Sequence, residues 1–296
     1  MGLSSTVLFL EKYGHGPPAG SMVQLIRENI KNLRFNRIIG IGGWAVLNVA
    51  KLLSLPDGSA AAQSAECVRD KKLVLVPTTC GTGAEISGTV ILDHKSTKSQ
   101  VKTAVYADSA ALIPELLEGL SYDIFTSSSL DALNRAVRAF LASSGVGYDH
   151  LLSEGAIKLI IEGYQKIRIG GKECRISLLK NFLMASNFSQ LAFESVFGQE
   201  QAAGVKTSLE ELFILLNAGQ NRPDRMDAFY RQVAELLECP VSDAPQALID
   251  LLKDVLPEAC GQKVWPFENG KAKRERFKSP GDGYAILDTR FPVPQY

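Results

Sequence analysis

Apolar residues follow two different patterns along this chain, and the change between them falls near residue 125. Before that point, segments with a helical period alternate with short apolar runs that are typical of strands. After it, nearly every segment has the period of an amphipathic helix. The pattern predicts an α/β domain over residues 1–125 and an all-helical domain over residues 126–296, with an irregular tail from about residue 257.

The middle of the first half predicts a βαβ unit. The short apolar runs Arg37–Ile41 and Leu73–Val76 are typical of strands, and Trp44–Leu55 between them has helical spacing. Because strand, helix and strand follow each other closely, we expect the two strands to lie parallel in one sheet.

Three further segments complete the first half. Apolar residues on one face of Ser21–Leu33 predict a helix, and Ser21 and Gln24 are spaced as a capping box at its start. The polar stretch Asp93–Lys102 predicts a turn or hairpin tip, and Ala110–Ile113 predicts another strand.

The second half is predicted to consist of helices. We expect them at about residues 127–141, 149–168, 176–193, 206–217, 224–238 and 243–256. The tail is rich in proline, glycine and basic residues, and its basic run Lys271–Lys278 is typical of a solvated surface rather than of a nucleic-acid site.

Composition narrows the class of partner. Thirty-two basic residues balance thirty-two acidic ones, so no global field attracts the chain to nucleic acid or to an anionic membrane. No apolar run is long enough to span a membrane, and the first residues lack the pattern of a signal peptide. The five cysteines are odd in number and scattered, which favours reduced thiols. We expect a cytoplasmic protein whose partner is a small molecule or another protein.

Two loops after the predicted strands contain candidate ligand-binding groups. Gly40, Gly42 and Ala45 match the dinucleotide pattern G-x-G-x-x-[GA], although a tight strand-to-helix turn explains the same residues equally well. Pro77–Glu85 combines hydroxyls and glycines in a plausible cradle for ribose or phosphate; the alternative is a turn whose threonines cap a helix. Both loops follow strands at the carboxyl edge of one sheet, where open α/β folds bind ligands.

Several motifs together resemble the iron-containing alcohol dehydrogenase family. Gly42–Lys51 resembles its G-G-G-S-V-x-D-x-A-K turn, Pro77–Glu85 resembles P-T-T-x-G-T-G-S-E, and Ser128–Val137 is similar to S-x-D-A-L-x-H-A-[IV]. The segments that look like the 4-hydroxybutyrate dehydrogenase branch are Glu11–Gly14, Tyr106–Gly119 and Ala185–Phe188. The likeness covers about residues 8–193 and continues more faintly to about residue 256.

The resemblance implies a dehydroquinate synthase-like fold, in which a partial parallel-sheet nucleotide-binding domain precedes an all-helical domain. It also implies NAD or NADP in the cleft and interconversion of a small alcohol or hydroxy acid with an aldehyde. By match, Gly42 and Gly43 inherit contact with the pyrophosphate. The residues that inherit contact with the rest of the cofactor are Thr78, Thr79 and Thr82.

The family's iron, which polarises the alcohol oxygen, is held by one Asp and three His, and most of these ligands are absent here. Asp131 stands at the Asp position, but Arg135 replaces the His that follows four residues later. The segment Phe193–Phe213, where the other two ligands belong, contains no His. The chain's three histidines, His15, His94 and His150, lie outside the ligand motifs. One carboxylate does not hold iron tightly, so we expect Asp131 to pair with Arg135 instead.

The cofactor side also departs from the family pattern. Trp44 replaces the third glycine of the turn, Ala45 replaces the serine and Asn48 replaces the acid. The indole of Trp44 either fills the place of the pyrophosphate or points into the core. The chain also begins within the family's nucleotide domain, so the first strands are expected to be missing. Such a sheet would have an open edge suited to a homo- or hetero-oligomer.

Three functions stay open at the level of sequence. The first is an NAD(P)-dependent oxidoreductase with a largely lost metal site. The second is a catalytically inactive pseudoenzyme that serves as a binding or subunit-interaction protein. The third is a metal-independent lyase or isomerase with Asp131 and Arg135 as catalytic groups, which requires both side chains to line an open pocket.

Overall fold

The computed structural model describes residues 5–14, 19–56, 69–94, 97–100, 104–198, 209–218, 222–256, 267–268 and 271–272. Within these residues no helix is both long enough and apolar enough to cross a membrane. Most of the predicted tail lies outside the described ranges.

The first part of the chain contains the predicted βαβ unit. Its elements are α1 (Gly20–Ile30), β1 (Arg37–Gly42), α2 (Trp44–Leu53), β2 (Lys72–Pro77), β3 (Ile91–His94), β4 (Thr97–Gln100) and β5 (Ser109–Ala110). Strands β1 and β2 pair in parallel from Arg37 opposite Lys72 to Gly42 opposite Pro77, and β5 pairs in parallel with β2 on the other side. The prediction of parallel strands is confirmed.

Two local predictions in this part were wrong, and one was confirmed. Helix α1 begins one residue earlier than predicted, so Ala19 and not Ser21 is the N-cap, and no side chain caps it among the described residues. The strand predicted at Ala110–Ile113 is shorter and earlier, because Pro114 already lies in a 3₁₀ helix, Pro114–Leu117. The predicted hairpin is present, with β3 and β4 antiparallel.

The second part is helical, as the period predicts. Its helices are α3 (Tyr122–Ala142), α4 (Tyr148–Gly170), α5 (Leu179–Phe197), α6 (Leu209–Ala218), α7 (Pro223–Leu237) and α8 (Ala244–Val255). A 3₁₀ helix at Lys172–Leu178 connects α4 to α5. The described end of the chain is a short antiparallel pair, β6 (Phe267–Glu268) and β7 (Lys271–Ala272). The predicted fold class, a partial parallel sheet followed by helices, is confirmed.

Buried apolar residues form two clusters that follow the same division. One cluster draws on α1, α2 and the sheet, and its buried members lie between Met22 and Val105. The larger cluster is formed by the helices, with Phe125 packed edge-on against Phe182 and the Tyr164 hydroxyl 2.8 Å from the hydroxyl of Ser129. The loop after β2 contributes to both clusters, so it is positioned by both.

The outer edge of the sheet is formed by β1, which pairs only with β2 among the described strands. Side chains of a strand alternate between faces. Gly40 faces α2, whereas Ile39 and Ile41 face the opposite side and are each 56% exposed. A parallel sheet is usually covered on both faces, so this edge and face are available for contact with further polypeptide.

Candidate functional site

The turn between β1 and α2 lies at the carboxyl edge of the sheet. Gly43 is the N-cap of α2, and the first helical bond runs from the Leu47 amide to the Gly43 carbonyl at 3.1 Å. The earlier amides of the first turn have no acceptor within the helix, and no side chain among the described residues caps them. This end of α2 therefore presents backbone donors and the positive end of the helix dipole to an anion.

The glycines of this turn are required for different reasons. A Cβ on Gly40 would lie 2.6 Å from the Ala50 Cβ, and one on Gly42 would lie 2.7 Å from the Val46 Cβ. These two glycines allow α2 to pack against its own strand. A Cβ on Gly43 would meet only Thr79, at an ordinary 3.5 Å. Of these three glycines, only Gly43 could carry a Cβ without a close contact.

The threonine-rich loop after β2 packs between the sheet and the helices. The Thr78 amide donates to the Gly42 carbonyl at 3.0 Å, which holds the two loops side by side. A Cβ on Gly81 would lie 2.7 Å from the Ser128 carbonyl oxygen. Gly83 has a positive φ of 57°, and a Cβ there would lie 2.5 Å from Gln190. No helix follows this loop directly, so the alternative in which its threonines cap a helix was wrong.

The three threonines assigned to the cofactor, Thr78, Thr79 and Thr82, are all partly exposed at this edge. Between them Cys80 is fully buried, with its sulfur 3.4 Å from the Ser128 hydroxyl. Burial raises the pKa of the Cys80 thiol to about 12, so it stays protonated and serves packing. Buried Cys80 therefore fixes the loop against the helices, while the three threonines stay partly exposed.

Asp131 and Arg135 form the ion pair that their spacing predicts. The Arg135 Nε donates to Asp131 Oδ1 at 3.0 Å, and Arg135 Nη1 donates to Gln190 Oε1 at 3.1 Å. Asp131 and Arg135 are only 7% and 6% exposed. Burial raises the pKa of the Asp131 carboxyl, while the charge of Arg135 and its hydrogen bond act in the opposite direction.

A second set of buried polar groups adjoins this pair. Gln190 donates through Nε2 to Glu194 Oε1 at 3.0 Å, and the Ser87 hydroxyl donates to the same oxygen. The fully buried Lys51 donates to the carbonyls of Ser87 and Thr89 at 2.7 and 3.1 Å. These bonds connect α2, α5 and the loop after β2 through the fully buried Lys51 and the half-buried Glu194.

Burial also shifts the pKa values of Lys51 and of the neighbouring Glu85. Desolvation lowers the pKa of Lys51 to about 8, and the charges of Glu194 and Glu85 oppose the shift. The Glu85 carboxyl accepts from Asn187 Nδ2 at 2.6 Å, and burial raises its pKa. Both residues belong to the family-like motifs, but their contacts are with residues far away in the chain.

A small cleft of about 30 Å³ lies where these groups meet. The side chains that line it are Trp44, Thr82, Ala84, Ser87, Thr89, Arg135 and Gln190. Trp44 is half-buried: it packs against the sheet cluster and also borders the cleft, so neither of the two predicted positions for the indole describes it fully. Asp131 does not line this cleft, so the condition for the lyase hypothesis is not met.

The residues at Asp131 do not fit the metal that the family resemblance implies. Within the described ranges no three side chains of His, Cys, Asp or Glu come together in a group suited to a metal ion. One Asp131 oxygen is engaged by Arg135, and the guanidinium places a permanent positive charge where an ion would have to bind. Of the histidines, His150 is on α4, where its Nδ1 lies 3.1 Å from an Arg225 nitrogen, and His15 lies outside the described residues.

Sequence reasoning found the two loops and the Asp131–Arg135 pair but missed the contribution of α5. Gln190 and Glu194 are polar residues four positions apart on this helix; Gln190 is buried and lines the cleft, and Glu194 is half-buried. Their spacing was a usable signal, because residues four apart share one helix face. Only the tertiary structure shows which face of α5 is turned toward Arg135.

Comparison with known proteins shows which sequences this chain resembles. The sequence model of the family described as "Iron-containing alcohol dehydrogenase" matches residues 6–117. The 4-hydroxybutyrate dehydrogenase of Clostridium kluyveri is 36% identical over 193 residues, which cover 63% of this chain and 52% of that protein. The probable alcohol dehydrogenase EutG of Escherichia coli is 32% identical, over 53% of this chain and 42% of that protein. The chain thus spans about half the length of the curated relatives it matches.

Solved structures give the same fold. The NADH-dependent butanol dehydrogenase A of Thermotoga maritima superimposes with a TM-score of 0.61 at 17% identity, covering 83% of this chain and 71% of that one. The sulfoacetaldehyde reductase of Bifidobacterium kashiwanohense, solved with NAD⁺, gives 0.60 at 20% identity, covering 82% and 70%. These two superpositions show that the chain shares its fold with both structures. The resemblance to the iron-containing alcohol dehydrogenase family, with 4-hydroxybutyrate dehydrogenase among its relatives, is confirmed.

Proposed function

We propose that this chain binds NAD or NADP across the carboxyl edge of β1 and β2, and that it interconverts a small alcohol or hydroxy acid with an aldehyde without iron at Asp131. The observation that carries the proposal is the uncapped first turn of α2 beside Gly43. The lack of a side chain at Gly43 and the neighbouring Thr79 suit a pyrophosphate that approaches the backbone. When bound, the nicotinamide supplies the hydride chemistry.

The proposed contacts keep the roles expected from the family motifs, with one refinement. Gly43 and the amides that follow it bind the pyrophosphate, and Gly42 mainly lets the helix come close enough to do so. Thr78, Thr79 and Thr82 contact the rest of the cofactor from the adjacent loop, where their side chains are partly exposed. The 36% identity to 4-hydroxybutyrate dehydrogenase supports a short hydroxy acid as substrate.

Two substitutions at Gly43 test the cofactor site without disturbing the fold. Its φ of −79° suits any residue, and an added Cβ has room, so Gly43→Ser and Gly43→Asp should both fold. Both side chains can cap α2, but only the aspartate repels phosphate. In NADH and NADPH titrations followed by nucleotide fluorescence, we expect saturable binding by the unmodified chain, weaker binding by Gly43→Ser, and loss of binding by Gly43→Asp. Equal affinities in all three would contradict the proposal.

A second candidate is a catalytically inactive binding or subunit-interaction protein. The buried Asp131–Arg135 pair favours it, because the group that activates the substrate in the family has no equivalent set of ligands among the described side chains. Turnover of succinate semialdehyde and of short alkyl aldehydes, assayed with and without added ferrous or zinc ions, separates the candidates. Cofactor binding without any turnover would favour the second.

We also propose the domain division suggested by the hydrophobic pattern, with residues 1–125 and 126–296 as separate units. The two apolar clusters support it, since one ends at Val105 and the other is formed mainly by helices after Leu117. The open edge of β1 supports a homo- or hetero-oligomer, because unpaired strand groups bind further strands. Size measurement by light scattering tests the assembly.

A further inference from the structure

The cleft beside Arg135 contains hydrogen-bond donors that the protein itself does not use. Arg135 engages Asp131 through Nε and Gln190 through Nη1, which leaves Nη2 without a partner among the described residues. Nη2 is not sealed from solvent, although the residue as a whole is only 6% exposed. The Thr82 hydroxyl lines the same cleft and likewise has no partner in the described part of the chain. Arg135, which is held through two of its nitrogens, and Thr82 therefore line the same cleft, and each has a donor that the described residues do not use.

The geometry of Arg135 selects a single oxygen as its ligand. Arginine binds a carboxylate best through two parallel N–H groups on one edge of the guanidinium. Here each edge already has one of its nitrogens occupied, by Asp131 on one side and by Gln190 on the other. The cleft of about 30 Å³ accepts no more than the end of a ligand.

The charges around the cleft select an uncharged oxygen. Asp131 neutralises Arg135, and Glu194 lies directly behind Gln190. Lys51, which donates to the carbonyls of the lining residues Ser87 and Thr89, offsets Glu194. The charges beside the cleft therefore already balance, and a carboxylate would add a negative charge that Asp131 and Glu194 repel. A carbonyl oxygen accepts hydrogen bonds from Nη2 and Thr82 without this repulsion.

We propose that Arg135 and Thr82 form a subsite for the carbonyl oxygen of a small uncharged group. The Thr82 hydroxyl donates its hydrogen to this oxygen, and its lone pairs remain for the contact with the cofactor proposed above. The assignment of that group as the substrate's aldehyde rests on the proposed function, whereas binding of a carbonyl needs neither cofactor nor turnover. Trp44 forms one wall of the subsite, so its indole senses occupancy. The aldehyde oxygen would then be held by a fixed side-chain cation instead of a metal ion.

The test uses unreactive probes of equal size and different charge. The other tryptophan of the chain, Trp265, is replaced by Phe, so that fluorescence reports on Trp44 alone. This protein is titrated with propionamide, a neutral analogue of an aldehyde, and with propionate. We expect saturable quenching by the amide and affinity for propionate at least about tenfold lower, in line with a lost hydrogen bond and added repulsion.

Two variants locate the binding. Thr82→Val removes the hydroxyl donor. Arg135→Lys keeps a positive charge opposite Asp131 but lacks the forked guanidinium, and with it the Nη2 donor. Each should weaken propionamide by about five- to tenfold. The matched control is Thr6→Val, which changes an exposed threonine away from the cleft and should leave the affinity unchanged. If Arg135→Lys fails to fold, the partly exposed Thr82→Val still decides the question.

The outcomes separate this inference from the proposed function. Equal affinity for propionamide and propionate, or propionamide affinity unaffected by Thr82→Val, would overturn the carbonyl subsite even if NADH binds. Selective, Thr82-dependent binding of propionamide in a protein that binds no nucleotide would support the subsite and refute the oxidoreductase.

Discussion

Two regions of the chain resemble motifs of the family: the turn between β1 and α2, and the middle of α3. They differ in the hydrogen-bonding groups that they present to a ligand. At the turn, the donors are backbone amides, and no side chain among the described residues occupies them. In α3, the acceptor is the side chain of Asp131, and Arg135 already holds it. A site built from backbone survives substitutions that keep the chain's path, whereas a site built from side chains is lost when one ligand changes. A ligand site formed by the backbone is therefore less sensitive to substitution than a metal site formed by side chains.

The largest expected effect comes from breaking the pair in α3. Arg135→Met removes the cation and leaves the Asp131 carboxylate buried without a charged partner. We expect the free energy of unfolding to fall by about 3–5 kcal/mol. Urea denaturation followed by circular dichroism measures it. The control is the double variant Asp131→Asn, Arg135→Met, which removes both charges and should recover more than half of the loss. A single variant within 1 kcal/mol of the unmodified protein would show that the pair does not hold this region.

The next effect concerns Lys51 and pH. Its pKa is about 8 in the folded chain against 10.5 ordinarily, so between these values the unfolded state binds more protons. Stability from this group therefore rises with pH, by about 3 kcal/mol across the window, and is level below pH 8. Urea titrations from pH 7.5 to 10.5 of the unmodified chain and of Lys51→Met should diverge with that sign.

Lys51→Met has to be compared with the unmodified protein because the titration of Cys80 changes stability with pH in the opposite direction. The pKa of its thiol is raised from 9.0 to about 12, so its contribution falls as pH rises above about 9. Cys80 is present in both chains and cancels in the difference. A difference in stability that stays constant with pH would contradict the assigned charge state of Lys51.

A smaller effect tests the packing that supports the turn. Gly40→Ala places a methyl group 2.6 Å from the Ala50 Cβ, and neither atom can rotate away. We expect a loss of about 1–3 kcal/mol, measured by urea denaturation. Gly119→Ala is the matched control, since nothing lies within 4 Å of its added Cβ. If the two variants lose the same amount, close approach of α2 to β1 is not what requires Gly40.

The smallest expected effect is at Gly43. Serine at this N-cap can accept from the free amides of α2, so Gly43→Ser should gain a few tenths of a kcal/mol, about 0.3. Gly43→Ala cannot accept and should not gain. Thermal unfolding by calorimetry, run without nucleotide, compares the two. A gain by alanine equal to that by serine would mean that the amides of this turn already have partners.

The hydrophobic pattern predicted most elements because burial of one face forces a fixed period on each of them. It located β1, β2 and the helices from α3 to α8 within a few residues. It failed at α1, where the start of the helix was set one residue earlier and Ser21 never reached the capping position. Such boundaries depend on the path of the preceding chain, which a local pattern does not contain.

The sequence by itself determined the βαβ order, the family motifs and the Asp131–Arg135 pair, because each follows from residues close together in the chain. Only the tertiary structure decided that Gln190 takes the second side of Arg135 and that Glu194 lies behind it, 55 and 59 positions beyond Arg135 in the sequence. The same holds for Lys51, whose acceptors lie on a distant loop. Contacts of this kind depend on how α5 is rotated about its axis, and that rotation is set by packing of the whole helical cluster.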